Sequence, residues 1–194
     1  MKPIKINFLV KMVLSWSCRR LFKAEAFSFG QKLKASQKVL ICMPASIERF
    51  ALAKDSLSAF ADFFREKTIF VFLPFLRTDG YLPIPTGYDV IYPQKEDLKI
   101  FSLPGKKFIQ RLKERQFDIS LNLDLEDGFF NGYLCLKCGA SLRIGPQGKN
   151  AFPLYNVQLA VLQKRPRASE LYKEMANMLK NLLPDNEKNK PNSI

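Results

Sequence analysis

Apolar runs separated by amphipathic stretches recur along the chain, and this alternation is the feature that most restricts its fold. The run KVLICMP starts at Lys38, the run TIFVFLP starts at Thr68, and a helical pattern over 46–66 lies between them. Continuous apolar runs of this length are typical of parallel strands that are covered on both faces. The succession of strands and helices predicts a single Rossmann-like α/β domain with a doubly wound, mainly parallel sheet.

The other elements follow from the same reading. Further strands are predicted over 88–93, 117–125, 141–145 and, as an edge strand, 154–162; further helices over 104–116, 129–139 and 169–184. The first helix is expected to use Ser46 as its N-cap. Its predicted buried positions are Phe50, Leu57, Phe60 and Phe64. The last helix is predicted to place Leu171, Met175, Met178, Leu179 and Leu182 on one face.

The chain is predicted to have three parts: a basic arm over 1–37, the Rossmann-like domain over 38–183 and a disordered tail over 184–194. The net charge is +13, and residues 1–38 contribute nine Lys or Arg against the single acid Glu25. Within the arm, residues 4–24 fit a basic amphipathic helix, and 28–37 are expected to form a polar linker.

The basic arm suggests acidic partners. An anionic membrane surface is predicted to bind residues 2–23, with docking of this helix on its own domain or on a partner as the alternatives. Nucleic acid is a further alternative, through phosphate contacts along the arm. Lys11 interrupts an apolar run that is too short to span a bilayer, and no cleavage site follows it. We therefore expect a cytoplasmic protein, with peripheral placement at the inner face of the membrane as a variant.

Histidine is absent from the sequence, which excludes Ser-His-Asp and Cys-His mechanisms within this chain. Cys42 falls inside an apolar strand and is expected to be a small buried hydrophobe. Cys135 and Cys138 form a CxxC pair, but the pair comes late in its helix, away from the N-terminus that would lower a thiol pKa. We interpret it as part of a packed helix, and we predict neither a metal nor a cofactor.

The first strand leads into a turn that resembles a ligand-binding turn. In doubly wound sheets, ligands bind where a strand ends and a helix begins. The candidate residues here are Ser46, Glu48 and Arg49. No glycine occurs in this turn, so a dinucleotide or ATP site is not expected. The simpler interpretation makes Ser46 a helix cap and leaves Glu48 and Arg49 as solvated residues.

A second candidate is the polar cluster in LNLDLEDGFFNG, which begins at Leu121. Its ligand-binding candidates are Asn122, Asp124, Glu126 and Asp127. Paired carboxylates can share acid–base work or hold a divalent cation. The alternative is structural, because acids before a helix complement its dipole and an Asp-Gly pair favours a turn.

Three stretches resemble the heptosyltransferases, glycosyltransferase family nine. They are KVLICMPASIERFALAKDSLSAF (38–60), RLKERQFDISLNLD (111–124) and GASLRIGPQGKN (139–150). The resemblance covers residues 38–150 and corresponds to the N-terminal, acceptor-side half of a GT-B enzyme. It implies a role in the assembly of cell-envelope glycans of the lipopolysaccharide type, with a donor-binding subunit or another envelope-glycan enzyme as the expected protein partner.

The resemblance also implies where a catalytic base would lie. The family carries a Gly-Asp pair in the first turn, and alignment by the strand places Glu48 and Arg49 there. Arginine cannot accept a proton. The leading hypothesis is therefore a stand-alone, non-catalytic binding or accessory module. The alternatives are a glycosyltransferase completed by a separate donor-binding subunit, with Glu48 or Asp124 as the base, and an anion- or RNA-binding protein that acts through its arm.

Overall fold

The computed structural model describes residues 26–75, 84–99, 103–126, 129–148, 151–160 and 168–183. The predicted helix over 4–24, the predicted tail over 184–194 and the candidate residue Asp127 lie outside these ranges and stay predictions. Within these ranges, no helix combines the length and the apolar character needed to cross a bilayer.

Strands and helices alternate as the sequence predicts. The strands are β1 (Lys38–Cys42), β2 (Thr68–Phe72), β3 (Asp89–Ile91), β4 (Ile119–Asn122), β5 (Leu142–Pro146) and β6 (Val157–Leu159). The helices are α1 (Phe29–Ala35), α2 (Ile47–Asp55), α3 (Leu57–Phe63), α4 (Lys106–Glu114), α5 (Phe129–Lys137) and α6 (Ala168–Asn181), with a short 3-10 helix at Lys95–Asp97.

All six described strands form one parallel sheet in the order β3-β2-β1-β4-β5-β6. This order confirms the prediction of a doubly wound, Rossmann-like sheet. The chain moves outward from β1 through β2 to β3, then crosses back to β4, so β1 and β4 are neighbours where the direction of winding changes. In open α/β sheets this switch point is where ligands bind, beyond the carboxyl ends of the strands.

Side-chain alternation along the central strands divides the interior into two cores. In β1, Val39 and Ile41 face a core formed with α2, α3 and α6, whereas Leu40 and Cys42 face a core formed with α4 and α5. Strands with both faces buried need apolar residues at nearly every position, and β1 provides them. The predicted buried positions Phe50, Leu57, Phe60 and Phe64 all lie in the first core.

The prediction of a linker over 28–37 is wrong, because Phe29–Ala35 forms a helix. Ser28 caps it by accepting a hydrogen bond from the backbone N–H of Gln31 at 3.5 Å. Leu33 is buried in the first core, and the Lys32 ammonium lies 4.8 Å from the centre of the Phe27 ring. A polar sequence with one buried anchor and a cap is therefore sufficient for this short helix.

The single helix predicted over 46–66 is instead two helices, α2 and α3, which meet at Ser56. The Ser56 hydroxyl donates to the Leu52 carbonyl at 3.2 Å, and this kind of back-bonding bends helices. In α6, the predicted inward residue Leu182 lies just beyond the end of the helix and is 44% exposed. Tyr172 and Ala176 are buried instead.

Asp118 fastens the start of β4 to the start of β1. Its Oδ2 accepts hydrogen bonds from the backbone N–H groups of Gln37 at 2.8 Å and Lys38 at 3.0 Å. We expect Asp118→Ala to lower the free energy of unfolding by about 1–2 kcal/mol, because a charged acceptor with two amide donors is lost. Urea unfolding of the two proteins measures this. Asp118→Asn keeps one acceptor oxygen and should cost less; an equal loss would contradict the assignment.

Candidate functional site

The two sequence candidates lie side by side at the switch point. Cys42 at the end of β1 and Asn122 at the end of β4 are paired positions in the sheet. The first turn and the acidic segment that follow these strands therefore face one another. We call the space between residues 44–49 and 122–126 the crevice. The sequence predicts each segment as a candidate, but it does not predict their direct contact.

An ion pair joins the two sides of the crevice. Arg49 Nε lies 3.0 Å from Glu126 Oε1, and the two side chains are 26% and 55% exposed. The interpretation of Arg49 as a solvated residue is thus wrong, because Glu126 is within its reach across the crevice. Ser46 is the N-cap of α2, as predicted, and accepts from the Arg49 backbone N–H at 3.5 Å. Glu48 is exposed in the first turn of α2.

Asp124 lies deeper in the crevice and is only 7% exposed. Its Oδ2 accepts from the Ala45 backbone N–H at 3.4 Å, and its Oδ1 accepts from the Glu126 backbone N–H at 3.2 Å. The carboxylate thus faces the start of α2, where the N–H groups of the helix favour negative charge. Asp124 thus holds the two sides of the crevice together, and its carboxylate faces the start of α2 rather than the helix that follows the acidic segment.

Below Asp124, a hydrogen-bonded group of Asn122, Asn131 and Tyr155 closes the crevice, and we call it the floor. Asn122 is fully buried; its Nδ2 donates to the Tyr155 hydroxyl at 2.6 Å, and its Oδ1 accepts from the Asp124 N–H at 2.9 Å. Asn131 Nδ2 donates to the Met43 carbonyl at 2.8 Å and lies 3.2 Å from Asn122 Oδ1. Burial raises the pKa of Tyr155 well above its ordinary value, so its hydroxyl stays neutral.

Sequence reasoning missed Asn131 and Tyr155. Asn131 lies in a helix that reads as apolar, and its polar amide was the only local signal of a buried hydrogen-bond partner. Tyr155 lies in a segment predicted to belong to the edge strand, whereas it folds over the sheet and its ring enters the second core. Its partner Asn122 is 33 residues away in sequence, and only the strand order brings the two together.

Arg49 and Tyr172 carry buried polar atoms without partners. Arg49 Nη1 and the Tyr172 hydroxyl make no hydrogen bond among the described residues. Tyr172 is fully buried on α6, which packs against α2. Burial raises the pKa of Tyr172, the Arg49 charge lowers it, and Asp124 and Glu126 raise it. Burial is the largest of these influences, so the hydroxyl remains protonated near neutral pH.

Three cysteines cluster beneath the floor. Cys42 Sγ lies 3.9 Å from Cys135 Sγ, although the two residues are 93 positions apart in the sequence. Cys138 is also buried, and all three thiols are free. Burial raises the pKa of Cys138 to about 12 and that of Cys42 well above its usual value. No group of three or more potential metal ligands occurs within the described part of the chain.

We expect these three thiols to be at least about 100-fold less reactive in the folded protein than after unfolding, because a thiol buried in an apolar core is not accessible to the reagent. Labelling with a thiol-specific disulfide reagent at pH 8 tests this. A Cys18→Ser variant limits the signal to Cys42, Cys135 and Cys138. Rapid labelling of one thiol in the folded variant would contradict the packed interpretation of the CxxC pair.

A cleft of 730 Å³ lies at the opposite edge of the sheet, beside the starts of β2 and β3. Its polar lining includes Asp62, Arg65, Lys67 and Tyr88, and none of the predicted site residues lines it. Lys67 already donates to the Ser36 carbonyl at 2.7 Å. The crevice lies at the carboxyl ends of the strands, where α/β sheets place their ligands, and it is the stronger candidate.

Comparison with known proteins agrees with this fold. No protein-family model and no curated protein sequence matches the chain. The solved structure of E. coli ADP-heptose lps heptosyltransferase II is similar over 77% of this chain and 44% of that one, with 18% identity and a TM-score of 0.53. The chain has a heptosyltransferase-like fold. The resemblance based on three sequence stretches is thereby confirmed at the level of the fold.

Two further structures give the same result. The heptosyltransferase-like chain matches the glycosyl transferase family 9 protein from Veillonella parvula over 74% of its length and 41% of that chain, at 15% identity and a TM-score of 0.50. It matches E. coli heptosyltransferase WaaC with ADP over 73% of its length and 47% of that chain, at 13% identity and a TM-score of 0.55. The chain thus spans less than half the length of each of the three enzymes.

Proposed function

We propose that this chain is a binding module for an acidic glycan in cell-envelope assembly, built on the acceptor-side half of a heptosyltransferase-like fold, and that it does not transfer sugar by itself. The observation that carries the proposal is the Arg49–Glu126 ion pair, with its 3.0 Å N···O distance, at the mouth of the crevice. For sugar transfer, a carboxylate within hydrogen-bond reach of the acceptor hydroxyl must take its proton. At the mouth of this crevice the carboxylate of Glu126 is paired with Arg49 instead.

Asp124, Arg49 and the net charge support a binding role rather than catalysis. Asp124 accepts two backbone N–H groups that join the first turn to the acidic segment. Arg49 lies where the family resemblance puts the base, and a guanidinium remains protonated under all relevant conditions. The net charge of +13, of which residues 1–38 contribute +8, favours an acidic ligand for the chain as a whole, such as the phosphorylated glycans of lipopolysaccharide.

Two assays on the full chain test this function. Release of ADP from ADP-heptose in the presence of a heptose-free lipopolysaccharide acceptor reports transfer, and calorimetric titration with the same acceptor glycan reports binding. We expect binding without release of ADP. Binding should weaken at least tenfold in Arg49→Gln, because the principal cation of the crevice is removed.

Release of ADP by the wild-type chain that is lost in Asp124→Asn or Glu48→Gln would replace this proposal with the catalytic alternative. Adding a candidate donor-binding subunit to the same assay tests whether a second protein is needed. Absence of glycan binding would overturn the binding role. Membrane contact through residues 2–23 stays a separate prediction, since those residues lie outside the described ranges.

A further inference from the structure

We propose that the outer surface of α4 and α5 binds an anionic membrane surface. This surface is separate from the crevice and from the predicted arm helix, so the inference goes beyond the proposed function and does not rest on it. We call it the basic face. It combines four lysines with three half-buried apolar or aromatic side chains: Lys106, Lys107, Lys113, Lys137, Ile109, Tyr133 and Leu136.

The helices on the two sides of the sheet differ in charge. α4 and α5, which cover the second core, carry five Lys or Arg against the single acid Glu114. α1, α2, α3 and α6, which pack on the first core, carry six Lys or Arg against five acids. The excess positive charge of these helices is thus concentrated on one side of the domain, and a patch of this kind attracts an anionic surface.

The lysines of α4 are available to a partner. Lys106, Lys107 and Lys113 are exposed, and their ammonium groups form no ion pair with any described residue. The fourth cation of this helix, Arg111, is already paired with the buried carboxylate of Asp97 at 2.6 Å. Lysine is a compact charge on a flexible stem, so three of them on one helix suit a diffuse layer of lipid phosphates.

α5 supplies most of the apolar part of the basic face. Six of its nine residues are buried, and Tyr133, Leu136 and Lys137 are half-buried. The Lys137 ammonium lies 5.6 Å from the centre of the Tyr133 ring. α4 packs beside α5 and adds Ile109. Apolar groups among lysines are typical of surfaces that lie on lipid head groups, whereas a nucleic acid backbone would gain nothing from Ile109 and Leu136. The combination therefore favours a lipid partner.

The basic face reaches the edge of the sheet where the crevice lies. α4 and α5 both begin at the carboxyl edge of the parallel strands, and Asn131 in the first turn of α5 is part of the floor. Because the two helices cover one face of the sheet, a membrane that contacts them runs along the sheet. The crevice then stays open at the side of the domain, next to the lipid surface.

Sedimentation of the full chain with vesicles tests this assignment. The vesicles contain equal parts of neutral phosphatidylcholine and anionic phosphatidylglycerol. We expect the combined variant Lys106→Gln, Lys107→Gln and Lys113→Gln to bind them at least about tenfold more weakly than the wild type, since each lysine near an anionic leaflet strengthens binding about fivefold. The three side chains are exposed, so the fold should be unchanged, and circular dichroism checks this.

A matched control removes the same charge from the other side of the sheet. It combines Lys54→Gln in α2 with Lys173→Gln and Lys180→Gln in α6. We expect this variant to lose less than about threefold in vesicle binding, because charges that face away from the membrane are largely screened by salt. Residues 1–37 are present in both variants, so any contribution of the arm is the same in each.

Equal losses in the two combined variants would overturn the basic face, because the effect would then be one of net charge. Unchanged vesicle binding in the α4 variant would overturn it as well. Absence of vesicle binding by the wild type, with a single-stranded RNA bound through the α4 lysines instead, would replace the lipid partner by nucleic acid. The α4 variant should bind the acceptor glycan as the wild type does, so failure of glycan binding and failure of membrane binding are distinguishable.

Discussion

Replacing Asn122 with alanine is expected to lower the free energy of unfolding by about 3 kcal/mol. Its side chain is fully buried and bonds both the Tyr155 hydroxyl and the Asp124 backbone N–H. Alanine removes both hydrogen bonds at once. It leaves the Tyr155 hydroxyl and the Asp124 amide without this partner, and each unsatisfied buried group costs about 1–3 kcal/mol. Urea unfolding at pH 7 measures the change.

Tyr155→Phe is the comparison for this experiment. It removes only the hydroxyl and leaves Asn122 with its other partners, so we expect a loss of about 1 kcal/mol. The double variant should lose less than the sum of the two single losses, because both variants break the same hydrogen bond. Additive losses, or a loss below about 1 kcal/mol for Asn122→Ala, would show that the floor contributes little to stability.

Replacing Gly145 with alanine is expected to destabilise the fold by a similar amount, about 3 kcal/mol. A Cβ at this position would lie 2.5 Å from Cε1 and Cζ of the Tyr155 ring, well inside van der Waals contact. The ring is buried against the second core, where added volume forces strain on its neighbours. The melting temperature and the urea midpoint of the variant should therefore both fall.

Gly148 offers the matched control. A Cβ there meets no atom within 4 Å, so Gly148→Ala should change stability by less than about 0.5 kcal/mol. Tyr155→Leu in the Gly145→Ala background should recover part of the loss, since the smaller side chain makes room for the methyl group. If Gly145→Ala is as stable as the wild type, the close approach of the Tyr155 ring to β5 is wrong.

The central sheet could be predicted because its signal is local. Val39, Leu40 and Ile41 point alternately to the two faces of the sheet, and all three are apolar. Such a run is typical of a parallel strand that is covered on both faces. Ser46 could be assigned as a cap for the same reason, since a cap is defined by the residues that follow it. The helix at Phe29–Ala35 escaped prediction because one buried leucine, Leu33, stabilises a sequence that is otherwise polar.

The site could be predicted only in part. Each side of the crevice has polar residues after a strand, and this pattern identified Arg49 and Glu126 separately. Their pairing depends on β1 lying next to β4, which is a property of strand order and not of either segment. Tyr172 could not be identified, because its position on α6 looks like that of an ordinary inward-facing aromatic, and only the structure shows that its buried hydroxyl has no partner among the described residues.

The floor and the rim of the crevice differ in how readily they can move. Asn122 and Asn131 are shielded from water, so their hydrogen bonds open only through local unfolding, a rare event in a packed core. The exposed Glu126 side chain can change rotamer within picoseconds to nanoseconds. The crevice is therefore rigid at its base and adaptable at its rim, so its depth is fixed by the packed core while the width of its opening follows the rotamer of one side chain.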